Sequence, residues 1–347
     1  MVESYLLSDV MVVGLVAGLV WALLAARRSR VWRDAGREIL RRRPIALAVF
    51  LVYVGIGVLD SLAWVSGSPG GVTAGGDTVS LHKPRSAIDR LFPDASFREK
   101  SYSAPLADRE FLGGAPLRHP GRHLLGTDIL GRDVLYQTLK GARVALLVGG
   151  FTTLIVIPLA LLFGVLAGYF GGRTDDAIFF LISTLASMPN LLLLIALIMV
   201  LGRGPVQVCV ALGVTGWVSF ARIVRGETLK LRELDYVQAA RALGSSDLRI
   251  VLRHVVPNLM HLVVITFVLT FSAFVLQEAV LSWLGIGIDG SWGRMIDQAR
   301  DELSREPIIW WNLVSASVAL FGLILAVNLV GDAVRDILDP RTLRERA

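Results

Sequence analysis

Apolar runs recur along almost the whole chain, and they restrict what it can fold into more than any other feature. A helix needs about 20 mostly apolar residues to cross the hydrocarbon core of a bilayer. Runs of that kind lie at 5–25, 45–66, 143–169, 178–201, 206–224, 259–284 and 312–333. Of the 347 residues, 54% are hydrophobic and 18% charged, against roughly 45–50% and 25% in soluble domains. Backbone in lipid must satisfy its own hydrogen bonds, and a helix does so within one segment. The expectation is an all-α polytopic membrane protein with about seven transmembrane helices.

Orientation follows from where the cations fall. The stretch 26–43 carries Arg27, Arg28, Arg30, Arg33, Arg37, Arg41, Arg42 and Arg43 against Asp34 and Glu38, the mark of a cytoplasmic segment. Alternating the spans then leaves 67–142 outside. It puts 225–258, with Arg225, Lys230, Arg232, Arg241, Arg249 and Arg253, inside, together with the C-terminal tail. The net charge of +6 is thus assigned to membrane loops rather than to nucleic acid. Glu3 precedes the first apolar run and arginines follow it, the reverse of a cleaved signal, so this run is read as a retained anchor with an extracytoplasmic N-terminus. The organisation expected is an N-terminal helix with an Arg-rich segment (1–43), a first core helix with an outer loop (44–122), and a core (123–347) with a cytoplasmic loop at 225–258. The outer segment 67–122 begins rich in Gly and Pro and is read as a partly ordered loop or small docking domain. Cys209, the sole cysteine, rules out an intramolecular disulfide.

The loop at 235–257 is the most informative stretch. Asp235 is placed to cap a helix whose third position is Gln238, a capping-box spacing. Ala239, Ala240, Ala242 and Leu243 favour helix. Gly244 supplies a left-handed stop, Ser245 or Ser246 caps a second helix, and Pro257 closes that helix off from the next span. Alanines let a backbone approach closely, so such a helix can enter a groove on another protein. It can equally lie on lipid headgroups. The chain has no Gly-x-x-x-x-Gly-Lys-Ser/Thr phosphate loop, no in-membrane relay of several acids or histidines, and neither a Ser–His pair nor a His-Glu-x-x-His motif suited to hydrolysis. A transporter built this way takes its energy from a partner.

The segment Tyr236-Val-Gln-Ala-Ala-Arg-Ala-Leu-Gly244, with Arg253-His-Val-Val-Pro-Asn258, resembles the signature loop of ABC-importer permeases. More narrowly, the chain is similar to the second permease of dipeptide/oligopeptide-type importers, a group that includes nickel importers. His123-Leu-Leu-Gly-Thr-Asp-Ile-Leu-Gly-Arg-Asp133, Gly141-Ala-Arg-Val144, Gly168-Tyr-Phe-Gly-Gly172, Glu278-Ala-Val-Leu-Ser-Trp-Leu-Gly-Ile-Gly287, Ser291-Trp-Gly293 and Asn328 to Arg341 match in order, from about residue 119 onward. The resemblance implies a type I importer core and a coupling surface made of Tyr236, Gln238, Ala239, Ala240, Arg241, Ala242, Leu243, Gly244, Arg253 and Pro257. It implies as partners a second permease, two ATP-binding-cassette ATPases and an extracytoplasmic solute-binding protein, in a prokaryotic inner membrane. ATP and Mg would sit on the ATPases, with no cofactor or metal on this chain. Peptides are the expected cargo, with nickel complexes or other small solutes as the alternative. An ion-coupled secondary transporter is the reading from another class. The sequence departs from the family at Gln238, where an acid is usual, in a short Gly287–Ser291 connection, and in the extra first span.

Candidate pathway or gate residues carry two readings each. Asp128 and Asp133 suit a gate or a binding-protein contact, or simply the start of a helix. Glu278, within an apolar run, suits a pathway or a bond between spans. Pro189 and Asn190, like Pro158, interrupt apolar runs where a cavity can satisfy the backbone. Asn328 and Asp332 suit an inner closure or ordinary helix packing. His261 is read as an interfacial residue rather than a metal ligand.

Overall fold

Helix follows apolar length along this chain, and the bends come where glycine and proline sit. The computed structural model describes residues 10–18, 40–41, 43–62, 71–74, 77–80, 86–92 and 98–338. Residues 10–18 are helical, and the rest of the expected first span and the basic tail lie outside the described residues. The helices are α1 (Pro44–Ser61), α2 (Ala87–Leu91), α3 (Val134–Leu146), α4 (Thr152–Phe170), α5 (Gly172–Ser187), α6 (Asn190–Leu201), α7 (Pro205–Arg232), α8 (Asp235–Ala242), α9 (Asp247–Ile250), α10 (Val256–Trp283), α11 (Trp292–Leu303) and α12 (Trp311–Leu338). One antiparallel hairpin, β1 (Gly71–Ala74) with β2 (Asp77–Ser80), pairs Val72 with Val79. π turns over Leu147–Phe151 and Val251–Val255 join α3 to α4 and α9 to α10, so that Val134–Phe170 and Asp247–Trp283 are each continuous helix of 37 residues.

Among the described residues, five helices are long and apolar enough to cross a membrane, and a sixth span arises if α5 and α6 count as one. These two are bent by 92°, so the run expected at 178–201 is two helices, broken at the interruption expected at Pro189 and Asn190. The break falls at Met188-Pro189, where an extended residue precedes the proline as the clash with the proline ring requires. Two other prolines do less than expected. Pro158 lies inside α4 without ending it, because it removes only one rung of the ladder. Pro257 does not separate the cytoplasmic loop from the next span. A π turn ends at Val255, two residues before it, and the helix runs on through α10.

The described chain forms two compact units, one built on Ile45–Leu147 and Glu278–Ala326, the other on Val148–Gln277 with the residues from Val327. In the first, the Trp292 indole donates to the Thr138 carbonyl at 2.8 Å and the Tyr53 hydroxyl to Ala319 at 2.9 Å. Residues 98–122, within the stretch read as a partly ordered loop or small docking domain, are tied down there together with 123–133. The Trp311 indole donates to the Thr127 carbonyl at 2.9 Å, and Phe111 meets the Trp311 ring edge-on at 5.0 Å. In the second unit, α4 lies against α7. A methyl added at Gly164 would stand 2.7 Å from the Ala221 carbonyl oxygen, and one at Gly168 2.7 Å from that of Arg225. Four residues apart, these glycines share one helix face and let two backbones meet, as small residues do between helices in lipid.

Gly168→Val is expected to force α4 from α7 and to destabilise the folded subunit by about 1–3 kcal/mol, as overpacking does. Thermal unfolding in detergent checks this, and a wild-type melting temperature would mean the contact is not tight.

Candidate functional site

The exposed loop between α7 and α10 is a helix–turn–helix held at both ends by buried side chains. The chain leaves α7 in a tight turn, with Glu233 and Leu234 N–H groups donating to Lys230 and Leu231. Leu234, not Asp235, is therefore the N-cap, and no side chain caps α8. Asp235 is already in the first helical turn, where its charge still suits the positive helix end. Gln238 turns its amide to Glu233 Oε2 at 3.3 Å instead of closing the expected capping box. At the other end, Gly244 adopts φ 81°. Its N–H donates to Arg241 at 3.0 Å and that of Ser245 to Ala240 at 3.1 Å, the paired bonds of a Schellman stop. Ser246 precedes α9 without a side-chain cap.

Val237 and Ile250 are buried and anchor α8 and α9. The opposite face is bare: Leu243 is 87% exposed, Leu248 69% and Leu252 60%, flanked by exposed Ala239, Ala242 and Arg253. Ala240 is half-buried. Tyr236 is held by Asn258, whose Nδ2 donates to its hydroxyl at 3.1 Å, beside exposed Pro257. The loop is also tied to the last turn of α4. The Tyr169 hydroxyl donates to Asp247 Oδ1 at 2.8 Å, and the Arg241 guanidinium lies over the Tyr169 ring at 5.2 Å. Sequence reasoning missed Tyr169, although it had singled out the Gly168–Gly172 stretch. Apolar side chains left this exposed on a rigid loop suit a protein partner.

The residues proposed for a pathway or gate are placed differently. Glu278 is buried, with Ser282 Oγ donating to its Oε1 at 2.5 Å and the Ile288 N–H at 3.4 Å. It binds α10 to the connection that follows, as a structural bond would. Pro189 and Asn190 are exposed at the α5–α6 bend. Asp128 is buried and accepts from the Leu130 and Arg132 N–H groups at 2.9 and 2.8 Å and from Arg132 Nε at 2.9 Å. Asp133 caps α3 by accepting from the Tyr136 N–H. Its other oxygen meets His123 Nδ1 at 2.8 Å, while His123 Nε2 stands 3.5 Å from Glu99 Oε1. Both aspartates thus build the segment leading into α3, which is the helix-start reading.

A second group the sequence did not reveal lies nearby. Lys140 Nζ reaches Asp89 at 2.7 Å and Asp60 at 3.3 Å, with Arg143 3.8 Å from Asp60. The i, i+3 spacing of the two cations on α3 was visible. Their acidic partners, far away in sequence, were not.

This is a multi-pass membrane protein with an exposed helical loop built for contact. A family model described as the binding-protein-dependent transport system inner membrane component matches residues 160–344, and the chain belongs to that family. The oligopeptide transport system permease protein OppC of Bacillus subtilis is 36% identical over 222 residues, 63% of this chain and 72% of that protein. The dipeptide transport system permease protein DppC of the same organism is 39% identical over 229 residues, 64% and 70%. The glutathione transport system permease protein GsiD of Pectobacterium atrosepticum is 36% identical over 222 residues, 63% and 73%. Among solved structures, a chain of the inward-facing MetNI methionine ABC transporter covers 58% of this chain and 94% of its own, with 20% identity and a TM-score of 0.42. By that family model and those permease relatives, and not by the structural likeness, the chain is a permease subunit of an ABC-type importer.

Burial pulls the His123 pKa down, but Asp133 and Glu99 outweigh it and raise it. Burial pushes Glu99 up, but the N–H groups of Arg118 and His119, with His123, bring it below its ordinary value. The His123 contribution is complete below its ordinary pKa of about 6.5 and is lost as pH rises through the raised value. The Glu99 contribution is present above about 4.3 and is lost as pH falls through the lowered value. The stability difference between wild type and His123→Gln should therefore peak between those two limits and shrink as the medium becomes alkaline. Melting curves over a pH series test it, and a pH-independent difference would refute the charged pair.

Proposed function

We propose that this chain is one of two permeases in a peptide importer, with its 235–257 loop on the cytoplasmic side as the coupling surface for an ATP-binding-cassette ATPase. The observation that carries the reading is the loop itself: a rigid helix–turn–helix whose bare face holds Leu243, Leu248 and Leu252. A homologous second permease forms the other half of the pathway, and a solute-binding protein delivers cargo from outside. Each permease loop takes one of two ATPases, which hold ATP and Mg. The basic loops support cytoplasmic placement of the coupling loop and C-terminus, with the N-terminus outside and the extra first span as an added anchor. Peptide cargo is inferred from the oligopeptide and dipeptide permeases that this chain resembles.

The mechanism needs little of this chain beyond geometry. ATP binding draws the ATPases together, and each pulls on the α8–α9 loop. Because Asp247–Trp283 is continuous helix, displacement of the loop passes into α10 without a hinge at Pro257. The small side chains Ala239 and Ala242 allow close approach. Arg241 and Arg253 supply charge at the rim, and Glu233 brings a carboxylate beside Gln238.

Affinity purification of the tagged chain from its native membranes should recover two ATPases and a second permease; a lone homo-oligomer would refute the assignment. Leu243→Asp removes a contact worth about 2 kcal/mol, so ATPase recovery should fall tenfold or more in correctly inserted protein. Wild-type recovery would place the docking surface elsewhere. Gly244→Pro, which cannot adopt the positive φ of the turn, should abolish ATP-driven peptide uptake.

A further inference from the structure

The end of α4 has no part in the docking face described above, yet both arms of the loop are tied to it. Tyr169 is buried and donates its hydroxyl proton to Asp247 Oδ1 at 2.8 Å, the first residue of α9. Its ring carries the Arg241 guanidinium at 5.2 Å, from the last turn of α8. Arg241 in turn stands 3.8 Å from Asp247. One side chain on α4 therefore holds both arms of the helix–turn–helix, on either side of Gly244. One residue earlier, the Gly168 carbonyl accepts from Arg232 Nη1 at 3.1 Å, at the end of α7. Just beyond, Arg225 of α7 grips Asp175 through two bonds of 2.6 and 2.7 Å.

We infer that Tyr169 is a positioning residue that latches the coupling loop to the end of α4, so that a pull on α8–α9 moves α4 as well as α10. This rests on the proposed ATPase coupling and adds a second route into the membrane. The route through α10 is covalent. The route through Tyr169 depends on one hydroxyl and one ring face, and it enters a helix packed on α7 through glycines that leave little room to slide. A tyrosine near a membrane surface is common simply as an interfacial anchor. That role would need neither the bond to Asp247 nor the arginine over the ring.

The test uses the assembled transporter in nanodiscs with Arg173→Cys as a reporter just beyond α4. Arg173 is exposed, and the native Cys209 is buried. The rate of maleimide labelling is read without nucleotide and with ATP plus vanadate. In the wild-type background the rate should change on nucleotide binding. Tyr169→Phe, which keeps the ring but not the bond, should cut that change by about fivefold, the factor one ordinary hydrogen bond supports. Tyr169→Leu should abolish it, with the ATPases still co-purifying at the wild-type ratio. Asp247→Asn keeps an acceptor for the hydroxyl and should retain most of the response, which separates the latch from general damage to the loop. A wild-type response in both Tyr169 variants would overturn the latch. Loss of the ATPases from inserted Tyr169→Leu would also overturn it, making Tyr169 a docking determinant. Should Tyr169→Leu fail to insert, Tyr169→Phe and Asp247→Asn decide. A complex with Tyr169 intact that shows no nucleotide response would instead overturn the ATP-coupled reading beneath it.

Discussion

The glycine-lined contact of α4 with α7 is the constraint on which the second unit depends. Lipid tails are as apolar as leucine, so burial in a bilayer gives helices no reason to associate, and close packing must supply it. Gly164 and Gly168 bring α4 within van der Waals reach of the α7 carbonyls at Ala221 and Arg225. Gly213 of α7 admits Ile155 of α4 in the same way, and the Phe163 ring packs at a tilt against Trp217 with centres 4.8 Å apart. With the helices this close, the last turn of α4 comes within reach of Arg232. The position of the loop that follows α7 is then set by two bodies rather than by one flexible connection.

The first unit solves a different problem, that of burying charge. An ion removed from water costs several kcal/mol unless partners satisfy it. Here three of the buried acids are shared between partners. Asp60 accepts from Ser86 Oγ at 2.7 Å as well as facing Lys140 and Arg143. Glu99 takes two backbone N–H groups as well as His123. Asp133 divides its oxygens between a helix cap and the imidazole. These groups weld residues far apart in sequence, from Asp60 of α1 through Ser86 to Lys140 of α3.

What the sequence revealed, and what it did not, divides along physical lines. Apolar length located α1, α4, α7, α10 and α12, because the demand of a bilayer for about 20 apolar residues is local and one-dimensional. Gly244 was legible for the same kind of reason, since a left-handed stop is a single-residue property. The interruption at Pro189 and Asn190 was legible from residue type, but the 92° angle between α5 and α6 was not, because apolar content is blind to direction. Asp235 matched a capping box by spacing, but the turn at the end of α7 had already placed it inside the helix. Pro257 matched a breaker by type, but the π turn before it took up the misfit. The pairing of Lys140 with Asp60 and Asp89, and of Tyr169 with Asp247, joins residues 78 or more positions apart in two of the three cases and 51 in the other. No periodicity in one sequence reports such pairs.

The exposed loop is already ordered before any partner meets it, and that bears on how it would work. Val237 and Ile250 are buried beneath it, a Schellman turn fixes its corner, and Tyr236 is bonded to Asn258. A segment that must fold on docking gives up part of its interaction energy to ordering, about 2–5 kcal/mol in coupled folding. A segment already in shape keeps that energy for affinity and for mechanical stiffness. The second consequence matters more for a coupling element. A floppy loop would absorb a displacement of a few ångströms within itself, whereas a rigid one joined covalently to α10 hands the displacement to the membrane. Rigidity in an exposed loop is otherwise costly to maintain, since water competes for each of its hydrogen bonds. That the chain sustains it here, with apolar side chains left bare on the outer face, is the strongest physical reason to regard the loop as a lever.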